Sequence, residues 1–455
     1  LHTQHSALST PHFALRTPHS ALRTMTNSTA RKPLSRRFAT TASVISMHKV
    51  VQIVGAAVTV VLVPRLLGPE QYGRFAFVLS LTFLGAILAD FGTLDVFGRF
   101  VPTMVSDDAR KLYMRTLAFT LAASAFCFTL TVALSMALAE WMRLEWALLA
   151  GLMVVLRVVS WVPFQFALAK NRIGRWMTEQ AWRQWVTLGA LLVFYPLLGF
   201  TGALLALVLM EALFAGLGLW WARPEWLGSE FRLEWSYYKF YVVAGLGFFV
   251  ANLAAVALYR SGPVLVEALT GNSAQVGYLN LAIGLYLIVY GTVSQFAQSL
   301  IPALTQLRSE GQTSEMRHRL SRFVRTGLII TLMGTLAVWL LAGWGAPIIF
   351  GRGFGPAAEP MKWLSLAMPL SVIVWAANVT ATVTGRGAVK ASAILAALVT
   401  FLIGALLLTP TSGAAGTAQA LSLAILVQTV VLTVRLRPEF ALGGLLFDLR
   451  KPFGS

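Results

Sequence analysis

Long apolar runs, separated by short polar and charged segments, follow one another along almost the whole chain. Many of them reach about 20 residues, the length that a helix needs to cross the hydrocarbon core of a bilayer. We therefore predict an all-α integral membrane protein with about twelve transmembrane helices. We expect the seventh to be interrupted at Ser261, Gly262 and Pro263, because proline removes a backbone donor. The predicted spans are residues 43–65, 75–97, 115–139, 146–169, 184–199, 201–221, 239–269, 277–301, 324–345, 362–384, 389–409 and 413–434.

The composition agrees with this pattern and narrows the class of protein. Hydrophobic residues make up 57% of the chain and charged residues only 12%, with a mean hydropathy of +0.71. Soluble domains average about 25% charged residues, so a soluble globule and a disordered chain are both excluded. Cys127 is the only cysteine, and four of the six histidines lie in the first 24 residues. We therefore expect no disulfide, no metal site and no cofactor.

The first 24 residues differ from the rest of the chain. Residues 11–24 contain PHFALRT followed by PHSALRT, a seven-residue repeat without amphipathic spacing, and the first methionine is Met25. We expect residues 1–24 to be translated upstream DNA, with initiation at Met25. A short disordered tail is the alternative, and residues 1–42 are predicted to be a disordered N-terminal segment.

The positions of Lys and Arg predict the orientation of the spans. With the N-terminus placed in the cytoplasm, 27 of these residues fall on the inner side and five on the outer side. This bias indicates that both termini are cytoplasmic, in a multi-pass protein of the cytoplasmic (inner) membrane. It also accounts for most of the net charge of +18, so no nucleic-acid partner is expected. We expect residues 308–325 to form an amphipathic helix along the membrane surface.

Two segments about 204 residues apart resemble each other. In LVPRLLGPEQYGRFAF (62–77) and LVEALTGNSAQVGYLNLA (265–282), Gly68 matches Gly271 and, after one insertion, Gly73 matches Gly277. Coincidence between short Gly/Leu strings is the alternative. A true repeat predicts two parallel six-helix repeats with a substrate site between them. The predicted domains are a first lobe (43–221), a cytoplasmic linker (222–238), a second lobe (239–437) and a cytoplasmic tail (438–455).

Several motifs point to a known family. The segment PRLLGPEQYGRFAF and the span ending LADFGTLDVFGRFVP resemble the opening of the polysaccharide (O-antigen type) flippases, which belong to the multidrug/oligosaccharidyl-lipid/polysaccharide exporter superfamily. VGYLNLA, SLIPALTQLRSEGQ and FGRGFGPAAEPMKWLSLAMPL resemble that family's second lobe, and the resemblance covers about residues 40–437. It implies a flippase for an oligosaccharide linked to polyprenyl (pyro)phosphate, moved from the inner to the outer leaflet.

Charged residues within the predicted spans are the candidate site, because ionisable groups in a membrane usually face a cavity or a partner. Arg157 and Glu211 lie at nearly equal depth in the fourth and sixth spans, and Lys49 and Asp90 do so in the first two. Each set is predicted to be either a structural pair or a functional one. We expect Arg157, Lys49 and Arg260 to line a substrate cavity. Asp90 and Glu211 are candidates for gating or for coupling to a proton or sodium gradient.

Arg260 is the strongest candidate for binding phosphate. It lies one turn before the expected break in the seventh span, and its guanidinium offers two parallel donors for phosphate oxygens. The alternatives are that Arg260 extends toward the membrane surface or pairs with Glu267.

The expected function is transport of a lipid-linked oligosaccharide during cell-surface polysaccharide (lipopolysaccharide) biosynthesis, without enzymatic chemistry. Membrane lipids, a polysaccharide polymerase and glycosyltransferases are the expected partners. A drug or cation antiporter of the same superfamily, a membrane polysaccharide polymerase or ligase, and a non-transporting scaffold are the alternatives. Short outer loops without histidine weigh against the enzyme.

Overall fold

A computed structural model describes residues 34–227 and 235–437, and these residues are helical apart from short connections. The described residues from Met47 onward form one compact unit, and the site described below lies in it. Three predictions fall outside the described residues: the start at Met25, the centre of the linker (228–234) and the tail (438–455). The helices are α1 (Leu34–Asp90), α2 (Thr93–Phe100), α3 (Ser106–Leu138), α4 (Leu144–Ala169), α5 (Ile173–Trp221), α6 (Arg223–Trp226), α7 (Trp235–Thr270), α8 (Ser273–Ser299), α9 (Ile301–Ser309), α10 (Thr313–Phe350), α11 (Ala358–Ser365), α12 (Ala367–Val383) and α13 (Gly387–Arg435).

Within the described ranges, nine helical stretches are long and apolar enough to cross a membrane. Three of them, in α1, α5 and α13, contain a glycine with non-helical backbone angles: Gly68 (φ 70°, ψ 170°), Gly199 (φ 57°, ψ −137°) and Gly413 (φ 53°, ψ −129°). Glycine reaches these angles because it has no Cβ. Each of the three stretches therefore holds two spans, which gives twelve. The predicted all-helical membrane fold is confirmed.

The corners inside α5 and α13 share a pattern of proline and glycine. Pro196, Gly199 and Gly202 are spaced three residues apart, and the same spacing recurs at 410, 413 and 416. A Cβ on Gly202 would lie 2.0 Å from the carbonyl oxygen of Phe194, and one on Gly416 would lie 2.2 Å from that of Leu408. Both corners are thus too tight for a side chain, and residues 47–227 (the first half) and 235–437 (the second half) turn alike here.

The helices pack in similar ways in the two halves. In the first half α4 packs between α3 and α5; in the second, α7 packs along α13, and α12 packs between α10 and α13. Alanines such as Ala150, Ala203 and Ala397 are fully buried at these contacts. Small residues let helices approach closely, which stabilises packing inside a membrane. Because successive spans run in opposite directions, the turns at Gly68 and Gly271 lie at the predicted outer end, and those at Gly92 and Gly311 at the predicted inner end.

Three local predictions are wrong. The second span ends at Asp90 rather than residue 97, because Phe91 (φ 49°) and Gly92 (φ 72°) both adopt left-handed angles. The helix α7 is continuous through Pro263, so the seventh span is not interrupted. Residues 308–325 are not one surface helix, since α9 ends at Ser309 and Gly311 (φ 74°) turns the chain into α10.

Candidate functional site between the two halves

Three buried charged side chains and a half-buried fourth, Arg183, form a network inside the first half. Arg157 on α4 donates from Nε to Oε1 of Glu211 on α5 (2.6 Å), and Arg183 donates from Nη1 to Oε2 of the same carboxylate (2.6 Å). Arg183 also donates from Nε to Oε1 of Glu179 (2.7 Å) and from Nη2 to the hydroxyl of Ser160 (3.1 Å). Two arginines and two glutamates balance each other. This matters because an unpaired charge is costly in a membrane interior.

The predicted pairing of Arg157 with Glu211 is therefore present in the structure. The sequence analysis misses Arg183 and Glu179 as members of it, because both lie before the predicted fifth span (184–199). In the structure α5 begins at Ile173, eleven residues earlier. The four-residue spacing of Glu179 and Arg183, which places them on one helix face, is the signal that could have revealed the longer helix.

Two arginines from different halves meet at one aromatic ring. The guanidinium carbon of Arg157 lies 3.9 Å from the ring centre of Phe83 on α1, and that of Arg260 on α7 lies 4.3 Å from the same centre. The electron-rich face of an aromatic ring attracts a cation at this distance. Phe83 thus holds the two cations close together at the junction of the halves, although their charges repel.

Neither arginine is fully satisfied. Arg157 is only 3% exposed, and its buried Nη1 atom has no hydrogen-bond partner. Arg260 is partly exposed, and no hydrogen bond or ion pair engages it within the described part of the chain. In particular, Glu267 instead accepts from Trp141 Nε1 (2.6 Å). The neutral network of the first half leaves Arg260 as an uncompensated positive charge, about 15 Å along α7 from its end at Thr270.

Lys49 and Asp90 do not pair, so this predicted juxtaposition is wrong. Lys49 donates to Oε1 of Gln52 (3.0 Å). Asp90 is buried, and its Oδ1 accepts from the backbone amide of Leu94 (3.0 Å) and from the hydroxyl of Thr93 (3.2 Å). The early end of α1 explains this, since it places Asp90 at the turn into α2. Its carboxylate therefore satisfies the free amides at the start of that helix.

The halves are in contact at the predicted inner end. Phe91 stacks on Phe249 with ring centres 4.3 Å apart, and a Cβ on Gly92 would lie 2.4 Å from the carbonyl oxygen of Gly245. Asn252 donates from Nδ2 to Oδ2 of Asp95 (2.6 Å). Burial raises the pKa of the Asp95 carboxyl, and the hydrogen bond from Asn252 opposes this only in part. We call this set of contacts the inner closure.

The halves are also in contact at the predicted outer end. A Cβ on Gly73 would lie 1.6 Å from the carbonyl oxygen of Ser273, and one on Gly277 would lie 2.3 Å from that of Pro69. The two glycines matched in the sequence repeat thus face each other across the junction. Nearby, Asn280 donates to the hydroxyl of Tyr72 (2.8 Å). With this outer closure and the inner closure both formed, Arg157 and Arg260 lie between two shut ends.

The described residues offer no evident metal site. Within 34–227 and 235–437, no three His, Cys, Asp or Glu side chains lie close enough to hold an ion. Cys127 is buried and unpaired. The groups that meet at the junction are guanidiniums, an aromatic face and neutral polar side chains, a combination suited to binding an anion.

Solved structures of membrane transporters share this arrangement of helices. The lipid II flippase MurJ in an inward closed conformation aligns with a TM-score of 0.71 and 11% identity, over 90% of this chain and 93% of that one. An inward-facing multidrug resistance MATE family transporter of the MOP superfamily aligns with a TM-score of 0.68 and 13% identity, over 86% and 94%. At such low identity the likeness shows the fold alone, that of a multi-pass membrane transporter.

The family follows from the sequence itself. A model of the family described as polysaccharide biosynthesis protein matches residues 39–308, which is more than half of the chain. The chain belongs to this family, and the resemblance identified from its motifs is confirmed. Among curated proteins, none matches it.

Proposed function

We propose that this protein is a flippase that moves an oligosaccharide linked to polyprenyl (pyro)phosphate from the inner to the outer leaflet during cell-surface polysaccharide biosynthesis. The observation that carries the proposal is the pair Arg157 and Arg260 at the junction of the halves, with one buried donor unused and one guanidinium without a counter-charge. A charged phosphate headgroup is the ligand that would complete both. The family and the transporter fold support the same conclusion.

The contacts suggest how the cargo would move. Separation of Phe91 from Phe249 and of Asp95 from Asn252 would admit the headgroup from the inner side, while the lipid tail stays in the bilayer. The phosphates would then bind Arg260 and the free Nη1 of Arg157. Re-forming the inner closure and parting the outer one would release the cargo on the other side, and no covalent bond would form or break.

The polar groups around this path have separate roles in the proposal. Glu211 fixes Arg157 rather than binding cargo, because both of its oxygens are engaged by arginines. Asp90 acts at the gate by holding the corner between α1 and α2. We propose coupling to a proton or sodium gradient, both termini in the cytoplasm, and polymerase and glycosyltransferase partners acting on the same glycan.

A drug or cation antiporter would need an available carboxylate at this depth. Glu211, the acidic group nearest the two-arginine site, already balances two cations. The geometry therefore favours an anionic cargo over a cationic one.

The test is replacement of Arg260. We expect Arg260→Ala to reduce surface display of the glycan at least tenfold at matched expression, because one lost contact with an ionised group is worth about 1.5–3 kcal/mol. Arg260→Lys keeps the charge but not the paired donors, so intermediate activity is expected. Arg143→Ala is the control, since Arg143 is exposed and pairs with Glu145 at the predicted outer end. Full activity of Arg260→Ala would eliminate the phosphate-binding role.

A further inference from the structure

A groove lies away from the two-arginine site, in the second half. It is a groove of about 680 Å³ between α8 and the first part of α10, at the predicted inner end. From α10 it is lined by residues 315, 319, 322, 326 and 330, whose spacing places them on one face of the helix. From α8 it is lined by residues that include Phe296 and Ser299.

The groove changes character along its length. Its deeper part is apolar, with Phe296 65% exposed and Ile330 64% exposed. The part nearest the start of α10 is basic and is lined by His318, Arg319 and Arg322. Arg319 and Ile330 are eleven residues apart, or about 16 Å along the helix. A groove that is basic at one end and apolar along the rest matches a membrane lipid, which has a polar headgroup and apolar acyl chains.

The charge of the polar part favours an anionic headgroup. Arg319 pairs with Glu315 (2.9 Å), whereas Arg322 lies 3.3 Å from a ring nitrogen of His318 and has no carboxylate at ion-pair distance in the described part of the chain. One acidic side chain thus faces two arginines. The free amides at the start of α10 add further positive potential at the same place.

The depth of the groove distinguishes a resident lipid from the transported one. Arg319 is the seventh residue of α10, so its guanidinium lies near the helix end on the predicted inner side, the depth at which we expect the phosphates of the inner leaflet. Arg157 is instead in the middle of α4. A cargo phosphate would have to move much deeper than the basic part of the groove, whereas a phospholipid held there keeps its ordinary depth.

We propose that the groove between α8 and α10 binds an anionic phospholipid of the inner leaflet, with its phosphate at Arg319 and Arg322 and an acyl chain along Phe296 and Ile330. Basic pockets between transmembrane helices on the cytoplasmic side recognise such headgroups. The site is separate from that of the cargo, so this inference holds whatever the protein transports.

The experiment is a lipid titration of the purified full-length protein in detergent, with bound lipids counted by native mass spectrometry. Phosphatidylglycerol is compared with phosphatidylcholine of the same acyl chains. We expect at least tenfold tighter binding of phosphatidylglycerol, and loss of that preference in the Arg319→Gln/Arg322→Gln double variant. Thr326→Trp, which fills the middle of the groove without removing charge, should weaken binding of both lipids at this site.

Arg317→Gln is the matched control, because Arg317 is exposed on the same helix but does not line the groove. It should keep the preference for phosphatidylglycerol. Equal binding of the two lipids by the unmodified protein, or an unchanged preference in the double variant, would overturn the proposal. Displacement of phosphatidylglycerol by equimolar polyprenyl phosphate would also overturn it, by assigning the groove to the cargo. None of these results depends on Arg260, so they are distinguishable from failure of the flippase proposal.

Discussion

Buried charge is distributed unequally between the two halves, although their helices follow a similar path. Among the described residues, the buried acidic and basic side chains (Asp, Glu, Lys and Arg) of the first half are Asp90, Arg157, Glu179, Glu211 and Glu225, whereas the second half buries Glu267 alone. Glu267 is held by neutral donors, Trp141 and Ser273. The first half therefore depends on ion pairs for its internal order, while the second half presents an unpaired cation, Arg260, to the junction.

This difference suggests that the two halves have different roles at the two-arginine site. A neutral network of ion pairs fixes the direction of Arg157 on the first half. Arg260 lies instead on a regular helix, and within the described residues the ring of Phe83 is its one attractive contact. We infer that the first half provides a fixed part of the anion site and the second half a more adjustable part.

The largest expected effect comes from removing the central acid of the network. Glu211→Gln would leave Arg157 and Arg183 buried with one carboxylate fewer, which typically costs about 3–5 kcal/mol. We expect a large loss of folded protein and a much lower thermal unfolding temperature, measured by fluorescence-detected size exclusion after heating.

Glu267→Gln is the comparison that sharpens this prediction. The amide oxygen can still accept from Trp141 and no buried cation depends on Glu267 alone, so a cost of about 1 kcal/mol or less is expected. Equal destabilisation by the two substitutions would contradict the proposed difference between the halves.

A moderate effect is expected at the outer closure. Gly73→Ala adds a methyl group where 1.6 Å is available to the carbonyl oxygen of Ser273, and such overpacking costs about 1–3 kcal/mol. We expect the halves to part at the predicted outer end. Spin labels at Arg143→Cys and Glu359→Cys, in a Cys127→Ser background, should report a longer distance.

Gly98→Ala provides the control for that substitution, because a Cβ at Gly98 meets nothing within 4 Å. It should leave the distance between the labels unchanged. If Gly73→Ala also leaves it unchanged, the close approach of Gly73 and Ser273 does not determine closure.

The smallest effect is a pH dependence of the inner closure. Because burial raises the pKa of Asp95 when the halves are in contact, the closed form binds a proton more readily than an open form with a solvated carboxylate. Closure should therefore strengthen as pH falls from neutral through the raised pKa, and level off below the ordinary Asp value of about 3.9. Cross-linking of cysteine pairs at this end, measured against pH, tests the direction.

Asp95→Asn should remove this dependence while an amide oxygen still accepts from Asn252. Asp107→Asn, at an exposed position in the first turn of α3, should leave it in place. A pH response that persists in Asp95→Asn would assign it to another group.

The number of spans was predictable because each apolar run needs a membrane crossing whatever its local geometry. The ends of the spans were harder to predict than their number. Hydropathy does not detect left-handed angles at Phe91, and it stops short where a helix continues into charged residues, as α5 does around Arg183. The pairing of Arg157 with Glu211 followed from equal depth. The same reasoning gave a wrong pair for Lys49 and Asp90, because the predicted second span ended at residue 97 whereas α1 ends at Asp90.

Where Gly73 and Gly277 cross, the carbonyl oxygens of Pro69 and Ser273 lie against the backbone of the opposing half. A carbonyl can accept two hydrogen bonds, so each would gain a free lone pair once the crossing opens. Sugar hydroxyls are donors, and they would meet these acceptors at the predicted outer end of the transport path. The same glycines that shut the passage would then line it with weak, uncharged binding positions, from which a glycan can leave without breaking an ion pair.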